Sequence, residues 1–382
     1  MLKRINMLRE FSIPLIAGVV MALYWANHDP SGYHHFIHGP LAGPLSFHFL
    51  SNELFMVFFF GIAAVEITQS CLPGGDLNPP RKAVNPLLAT LGGVLGPVVV
   101  YLVLNGISGS PELANGWGIP TATDIALAWL VARLVFGANH PVISFLLLLA
   151  IADDAVGLAI IAIFYPDPAL PVAPIWLAVT VAGMIVAWLM RRRQVGSYWP
   201  YLIAGGVPSW IGLHQAHLHP ALALVFIVPF LPHAAREKKH LFEEDIRDTS
   251  PLASFEHEWK VIVDFGLFTF GLANGGVEFS AVGQVTWLVL AALLAGKTLG
   301  IFSCGMLARA LGFPLPSRMG VRHLLVAGMV AGIGFTVALF VAGEAFTDPL
   351  VQGAAKMGAM LSIVAAVLAV LMAKILGIRK VR

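Results

Sequence analysis

Two adjacent aspartates, Asp153 and Asp154, interrupt an apolar run that extends from Val142 to Phe164. The run is long enough to cross a bilayer as a helix, and the acids fall near its middle. A carboxylate at that depth costs about 2.5–3.5 kcal/mol on insertion scales. Two neighbours cost more, because their charges repel. Such acids persist where they face water, a cation or a partner, so the pattern predicts a helix that lines an ion or proton path. The plainer alternative is a pair neutralised by structural partners.

The rest of the chain fits that setting. Hydrophobic residues make up 58% of it and charged residues only 12%, which excludes an ordinary soluble domain. Its 382 residues accommodate about twelve spans of roughly 20 residues each. Apolar segments lie near 10–27, 49–69, 84–105, 117–135, 141–165, 172–190, 198–213, 219–232, 258–274, 283–308, 321–343 and 352–376. The reading is an all-α membrane protein of about twelve transmembrane helices, one domain over 1–382.

Basic residues set the orientation. Lys3, Arg4 and Arg9 precede span 1, Arg81 and Lys82 follow span 2, and Arg133 ends span 4. Arg191, Arg192 and Arg193 follow span 6, and Arg236, Lys238, Lys239 and Arg247 follow span 8. Arg309, Arg318 and Arg322 lie between spans 10 and 11, and Lys374, Arg379, Lys380 and Arg382 close the chain. The opposite loops hold neither Lys nor Arg, so both termini are expected in the cytoplasm. Lys297 and Lys356 alone break the pattern. Tyr24 and Trp25 stand where a signal peptide would be cut, so span 1 reads as retained. Cys71 and Cys304 map to the cytoplasmic side or the membrane and predict no disulfide. Nothing in the charge pattern points to nucleic acid. The polar stretch from His233 to Lys260 reads as a solvated loop between two halves.

Span 4 opens with Asn115-Gly-Trp-Gly-Ile-Pro-Thr-Ala-Thr-Asp124. Gly118 and Pro120 so deep in a span predict a broken helix, since proline removes a backbone donor and clashes with the preceding turn. Broken backbone at membrane depth is tolerated where it is buried in protein or lines a cavity. Thr123 and Asp124 follow the break and offer oxygen ligands for a small cation; Thr123 as a helix cap, with Asp124 favouring the new N-terminus, is the structural alternative. Span 11 carries a second break at Gly332-Ile-Gly334, and the two segments are faintly similar. They occupy corresponding places in spans 3–5 and 10–12, which would run in opposite directions. That predicts inverted-topology repeats, approximately 84–165 and 283–376, with the broken helices crossing at the midplane.

Lys297 lies mid-span with no local acid, and Asp153, Asp154 and Asp124 are the deep acids available to it. Coupling makes the protonation of such a group collective. Glu66 ends span 2, Glu256, His257 and Glu258 begin span 9, and Lys260 and Asp264 have the spacing of a helical ion pair. The histidines His28, His34, His35, His38, His48, His214 and His217 are spaced too irregularly for a metal site and read as surface imidazoles. His219 reads as a helix-start residue.

Several segments together resemble the NhaA-type Na+/H+ antiporters. They are Ile119-Pro-Thr-Ala-Thr-Asp-Ile-Ala-Leu127, Ala150-Ile-Ala-Asp-Asp154, Ile163-Phe-Tyr165, His219-Pro-Ala-Leu-Ala223 and Glu256-His257. Phe270-Gly-Leu-Ala-Asn-Gly-Gly276, Gly296-Lys-Thr-Leu-Gly300 and Gly332-Ile-Gly-Phe-Thr336 follow in order. The resemblance implies a bacterial inner-membrane protein that carries out secondary active exchange of cytoplasmic Na+ or Li+ for external protons, electrogenic if both aspartates change protonation, with no cofactor. It makes Asp153 and Asp154 the carriers of Na+ and protons, with Thr123 and Asp124 supporting the site and Lys297 paired with Asp153. Glu66, Glu256 and His257 become candidates for pH response. Monovalent cations, protons, membrane lipid and a homodimer partner are the implied partners.

The chain departs from the family pattern in three places, which mark it as a divergent member. A charged continuation after Glu66 is replaced by Ile67-Thr-Gln-Ser70, the start of span 9 is one residue short, and the 28–52 loop is shorter than the family's dimer-forming hairpin. Two rivals remain. An intramembrane aspartyl protease needs carboxylates from different helices, whereas this pair shares one. An uncoupled cation pathway or sensor on the same scaffold would lack proton linkage.

Overall fold

The computed structural model describes residues 13–43, 45–73, 75, 80–166, 171–233, 249–378 and 380. The basic N-terminal residues Lys3, Arg4 and Arg9, the charged run 236–248, and Arg379 and Arg382 lie outside the described residues. A helical segment stands at each of the twelve predicted places. They are α1 (Ile13–His28), α3 (Phe47–Cys71), α4 (Pro80–Ser108), the first broken span, α6 (Pro141–Phe164), α7 (Pro174–Arg192), α8 (199–215), a 3-10 stretch Pro220–Phe230, α9 (Pro251–Asn274), α10 (Gln284–Ala310), the second broken span, and α13 (Pro349–Ile375). By length and apolarity six of these could cross a membrane alone, and up to eight if each bent pair counts as one span.

The first broken span joins a 3-10 helix, Pro111–Thr121, to α5 (Ile125–Phe136) at 59°; the second joins α11 (Val321–Ala331) to α12 (Phe335–Ala345) at 48°. Gly332 to Gly334 form the second break as the sequence predicts. The first break lies elsewhere. Gly118 and Pro120 belong to the 3-10 helix, and the extended residues are Ala122 to Asp124. Pro120 is accommodated because 3-10 geometry already rearranges the bonds it cannot make. Gly118 answers to packing instead. Its N–H donates to the Tyr165 hydroxyl at 2.8 Å, and a Cβ there would collide with that hydroxyl.

The helices form two packed groups. Helices α4, α5, α6, α10, α11, α12 and α13 pack together with the 3-10 helix Pro111–Thr121. Helices α1, α3, α7, α8 and α9 pack with Pro220–Phe230, and α3 against α6 and α9 against α12 join the groups. Inside the first group α4 and α10 cross with backbones almost touching. A Cβ on Gly92 would strike the carbonyl oxygen of Gly300, and one on Gly300 that of Gly92. Small residues let spanning helices approach this closely where lipid supplies no hydrophobic drive.

Two further differences concern the ends. Helix α9 begins at Pro251, seven positions before the predicted start, because the Ser250 hydroxyl accepts from Ala253 N (3.4 Å) and Pro251 fits the first turn. Glu256, His257 and Lys260 are therefore helical rather than loop residues. The 28–52 segment is also built rather than bare. Asp29 caps a helix, α2 (Pro30–His38), and β1 (Pro40–Ala42) pairs antiparallel with β2 (Leu45–Ser46). A hairpin is thus present despite the short loop.

Candidate functional site

The two breaks meet. Asp124 N donates to Ile333 O at 2.7 Å, joining the first break to the second. Asp124 is also the cap of α5: Oδ1 accepts from Leu127 N at 3.0 Å, and Oδ2 accepts from Thr336 Oγ1 at 2.9 Å and Thr336 N at 3.3 Å. One buried carboxylate therefore meets the free N–H groups at the starts of two half-helices, whose dipoles both favour negative charge. The cap is therefore Asp124 and not Thr123, the structural alternative; a carboxylate at the N-cap reaches two helix starts where a hydroxyl reaches one.

Thr123 is left free to face α6, the helix of Asp153 and Asp154. Its hydroxyl lies 2.7 Å from Asp153 Oδ2 and 3.1 Å from Ala331 O, and its single proton serves one acceptor at a time. Lys297 Nζ donates to Asp153 Oδ2 and to Thr121 O, both at 2.7 Å. Both Lys297 and Asp153 are wholly buried, so the ion pair has no solvent to screen it. A π-helical turn, Ala292–Gly296, immediately precedes Lys297; such a turn shifts the face on which the following residues emerge. Asp154 is 8% exposed, and Oδ1 of Asp154, like Oδ1 of Asp153, accepts no hydrogen bond. Two carboxylate oxygens without donors on adjacent residues are a ready pair of hard ligands for a cation or for protons.

The structure thus brings Thr123, Asp124, Asp153, Asp154 and Lys297 into one cluster. Sequence reasoning missed Thr336 and the carbonyls of Thr121, Ala331 and Ile333. Thr336 lies just after the second break, and the faint likeness between the two broken segments was the signal for it. Ser362 was missed without a signal; its hydroxyl accepts from Gly334 N at 3.2 Å and supports the second break.

Glu66, Glu256 and Gln69 form a separate network. Lys260 lies 3.2 Å from Glu66 and 3.6 Å from Glu256, and Gln69 donates to Glu256 at 2.5 Å. Lys260, within electrostatic reach of Asp264 as the spacing predicts, also ties α9 back to α3. Glu66 is also within electrostatic reach of Asp154, whereas His257 faces outward on α9. On the other side His219 precedes the 3-10 helix at Pro220 but makes no capping bond. Its Nε2 instead meets Tyr165 O at 2.5 Å and lies 3.7 Å from Glu344, because its buried ring is turned toward the end of α6. Nor are the neighbouring histidines isolated: the tilted rings of His34 and His38 lie 4.7 Å apart and those of His38 and His48 5.0 Å apart, since α2 folds back over the start of α3.

Crossed broken helices around a buried, acid-bearing helix are the architecture of secondary membrane transporters. Residues 5–373 match the family model described as Na+/H+ antiporter 1, and the chain belongs to that family. It is a transporter rather than an enzyme. The Na+/H+ antiporter NhaA of Geotalea uraniireducens is 72% identical over 380 residues, covering 100% of this chain and 98% of the relative. That of Geobacter sulfurreducens is 70% identical over 381 residues, with 100% of both covered, and that of a Jannaschia species is 45% identical, with 98% of both covered. Identities of 72% and 70% correct the view of the chain as a divergent member. Among solved structures the fold is similar to the sodium proton antiporter MjNhaP1 from Methanocaldococcus jannaschii, with a TM-score of 0.55 at 15% identity over 95% of this chain and 91% of that one.

Proposed function

We propose that the chain exports Na+ or Li+ in exchange for protons through Asp153 and Asp154, with two protons entering per cation. The observation that carries this reading is the unequal environment of the pair. Asp153 holds its charge against Lys297 and Thr123, while Asp154 beside it has an oxygen with no donor. A cation reaching the pair replaces Lys297 as the counter-charge of Asp153 and takes the donor-free oxygens as ligands, with Thr123 Oγ1 beside them. Protons arriving from the other side neutralise the same oxygens and expel it. Competition for one set of carboxylates is what couples the two fluxes.

Asp124 binds no cation in this scheme. It holds the two breaks together, so that rocking of the first helix group moves the site as a unit. The repeats 84–165 and 283–376 form that group. The basic loops face the cytoplasm together with both termini, and residues more than half exposed, such as Val20, Ile107, Ile163 and Ile203, meet lipid. The β1–β2 hairpin supplies a homodimer contact. Glu66 and Glu256 line the cytoplasmic approach, Lys260 moderates its charge, and His257 stands on the outward face of α9.

The test is Na+-induced alkalinisation of acid-loaded everted vesicles. Asp153→Asn and Asp154→Asn should each abolish it while leaving the protein inserted, since the amide keeps the shape but exchanges no proton. Normal exchange in either variant removes that residue from the carrier pair. A vesicle potential that does not change the rate refutes electrogenic exchange.

A further inference from the structure

A second pair of titratable residues sits at the basic ends of two elements that hold the site. His140 immediately precedes α6, the helix of Asp153 and Asp154, and His323 lies in the first turn of α11, whose last residue offers its carbonyl to Thr123. Their rings stack face to face, 4.9 Å between centroids and 14° between planes. The Phe136 ring from the end of α5 stands 5.6 Å from His140 and 6.0 Å from His323.

Both imidazoles work as acceptors. Nδ1 of His140 accepts from Val142 N, and Nδ1 of His323 accepts from Gly320 N, each at 3.2 Å. Each ring thus satisfies an orphan N–H at a helix start, and each needs a lone pair on Nδ1 to do it. The neutral tautomer with hydrogen on Nε2 meets that need. Protonation turns the acceptor into a donor, so both caps are lost. It also sets positive charge at the positive ends of two helix dipoles.

Among the described residues, the helices that carry and adjoin the pair bring no acid to offset that charge. The charges bearing on His140 are those of His323 and Arg318. Arg133 on α5, Arg309 on α10, Arg322 on α11 and Lys374 on α13 come from the elements packed around the pair. Arg322 is itself spent on Leu376 O at 3.1 Å. The sequence has no Asp or Glu in 125–152, 279–343 or 349–382, so those helices bring no counterion to this end. Helix α3, which packs on α6 from the other group, brings Glu66 toward Asp154. Burial first, then His323 and Arg318, hold His140 below the usual histidine value. The neutral stack is therefore fully favourable above about pH 6.5 and loses its advantage as pH falls below it.

We propose that the His140–His323 stack is a proton-sensitive clamp that locks the basic ends of α6 and α11 together and releases them when the adjoining compartment turns acid. Release frees the carrier helix from the broken span that it faces, and exchange falls. The proposal rests on α6 being the carrier helix. It adds a pH response of its own, distinct from proton competition at Asp153 and Asp154, because the clamp never meets the cation.

The test uses the intact protein in everted vesicles. His140→Asn keeps a side-chain acceptor at the N-cap, and His323→Gln keeps one three residues into the helix, where Gln reaches back to the cap N–H. Neither titrates. The double variant should exchange within about twofold of the parent near pH 8.5, while its acid half-activity point moves down by about 0.5–1 pH unit. Melting should follow: the double variant should gain on the parent only below about pH 6.5. An acid limb that coincides with the parent's, or a melting shift equal at every pH, overturns the clamp. Loss of the carrier assignment reads out differently, as exchange that survives Asp153→Asn and Asp154→Asn.

Discussion

Lys297→Ala probes the centre of the site. Its Nζ makes two bonds of 2.7 Å, to Asp153 Oδ2 and to Thr121 O, and both members of the ion pair are wholly buried. Removing one partner of a buried pair costs about 3–5 kcal/mol, mostly from the charge left behind. Unfolding entropy of about 2.1 cal/mol/K per residue over 382 residues amounts to about 0.8 kcal/mol per degree. Lys297→Ala should therefore lower the melting temperature by about 4–6 °C. Asp153→Asn removes the same pair from the other side, so the double variant should lose less than the two singles together. A coupling of about 1–3 kcal/mol is expected for residues in direct contact. The assay is thermal melting of the parent, both singles and the double in one detergent. Strict additivity, or a Lys297→Ala protein that melts with the parent, would refute the argument that the pair is mutually neutralising.

Thr336→Val removes the hydroxyl 2.9 Å from Asp124 and should cost about 1.5–3 kcal/mol, a loss Thr336→Ser restores; melting curves decide it. Gly300→Val should deplete folded protein through its clash with Gly92, whereas Gly106→Val, with open space around it, should not; yields of monodisperse protein compare the two. Lys260→Ala breaks partly exposed pairs and should change stability by less than about 1 kcal/mol. The same change should lower the Na+ half-saturation, because Glu66 and Glu256 lose a competing cation; vesicle titrations measure it. Raising Na+ tenfold should move the acid half-activity point down by about half a pH unit if two protons compete with one cation, and by about one unit if one does. A midpoint that ignores Na+ would mean that protons and cation do not share the carboxylates.

The site was legible in the sequence because membrane burial makes every deep charge conspicuous. Asp124, Asp153, Asp154 and Lys297 stood out against apolar neighbours, and the structure places all four in one cluster. Hydroxyls and carbonyls carry no such mark. Thr336, Ser362 and the Thr121 carbonyl acquire roles only when two helices, distant in sequence, are crossed. The 3-10 form of Pro111–Thr121 escaped for a similar reason. Proline announces that α-helix is disturbed there, but Tyr165, reaching in from α6, decides how Gly118 must sit. His140 and His323 lie 183 positions apart and became a pair only once α6 and α11 were packed.

Acids are divided between the two helix groups in a way that bears on the proposed path. The first group carries Asp124, Asp153 and Asp154 at its centre and basic residues at the ends of its spans nearest the basic loops. The second group carries Glu66, Glu256, Glu258 and Asp264 on α3 and α9. In the proposed scheme the acids of α3 and α9 draw a cation approaching from that side into the seam between the groups, away from the basic span ends, Arg191 and Arg192 of α7 among them. Glu66, within electrostatic reach of Asp154, is the point where the seam meets the site. A carrier that moves one group against the other must open along such a seam. On the proposed reading, charges that guide the cation and charges that bind it then belong to different bodies, and motion between those bodies can separate the approach from the site.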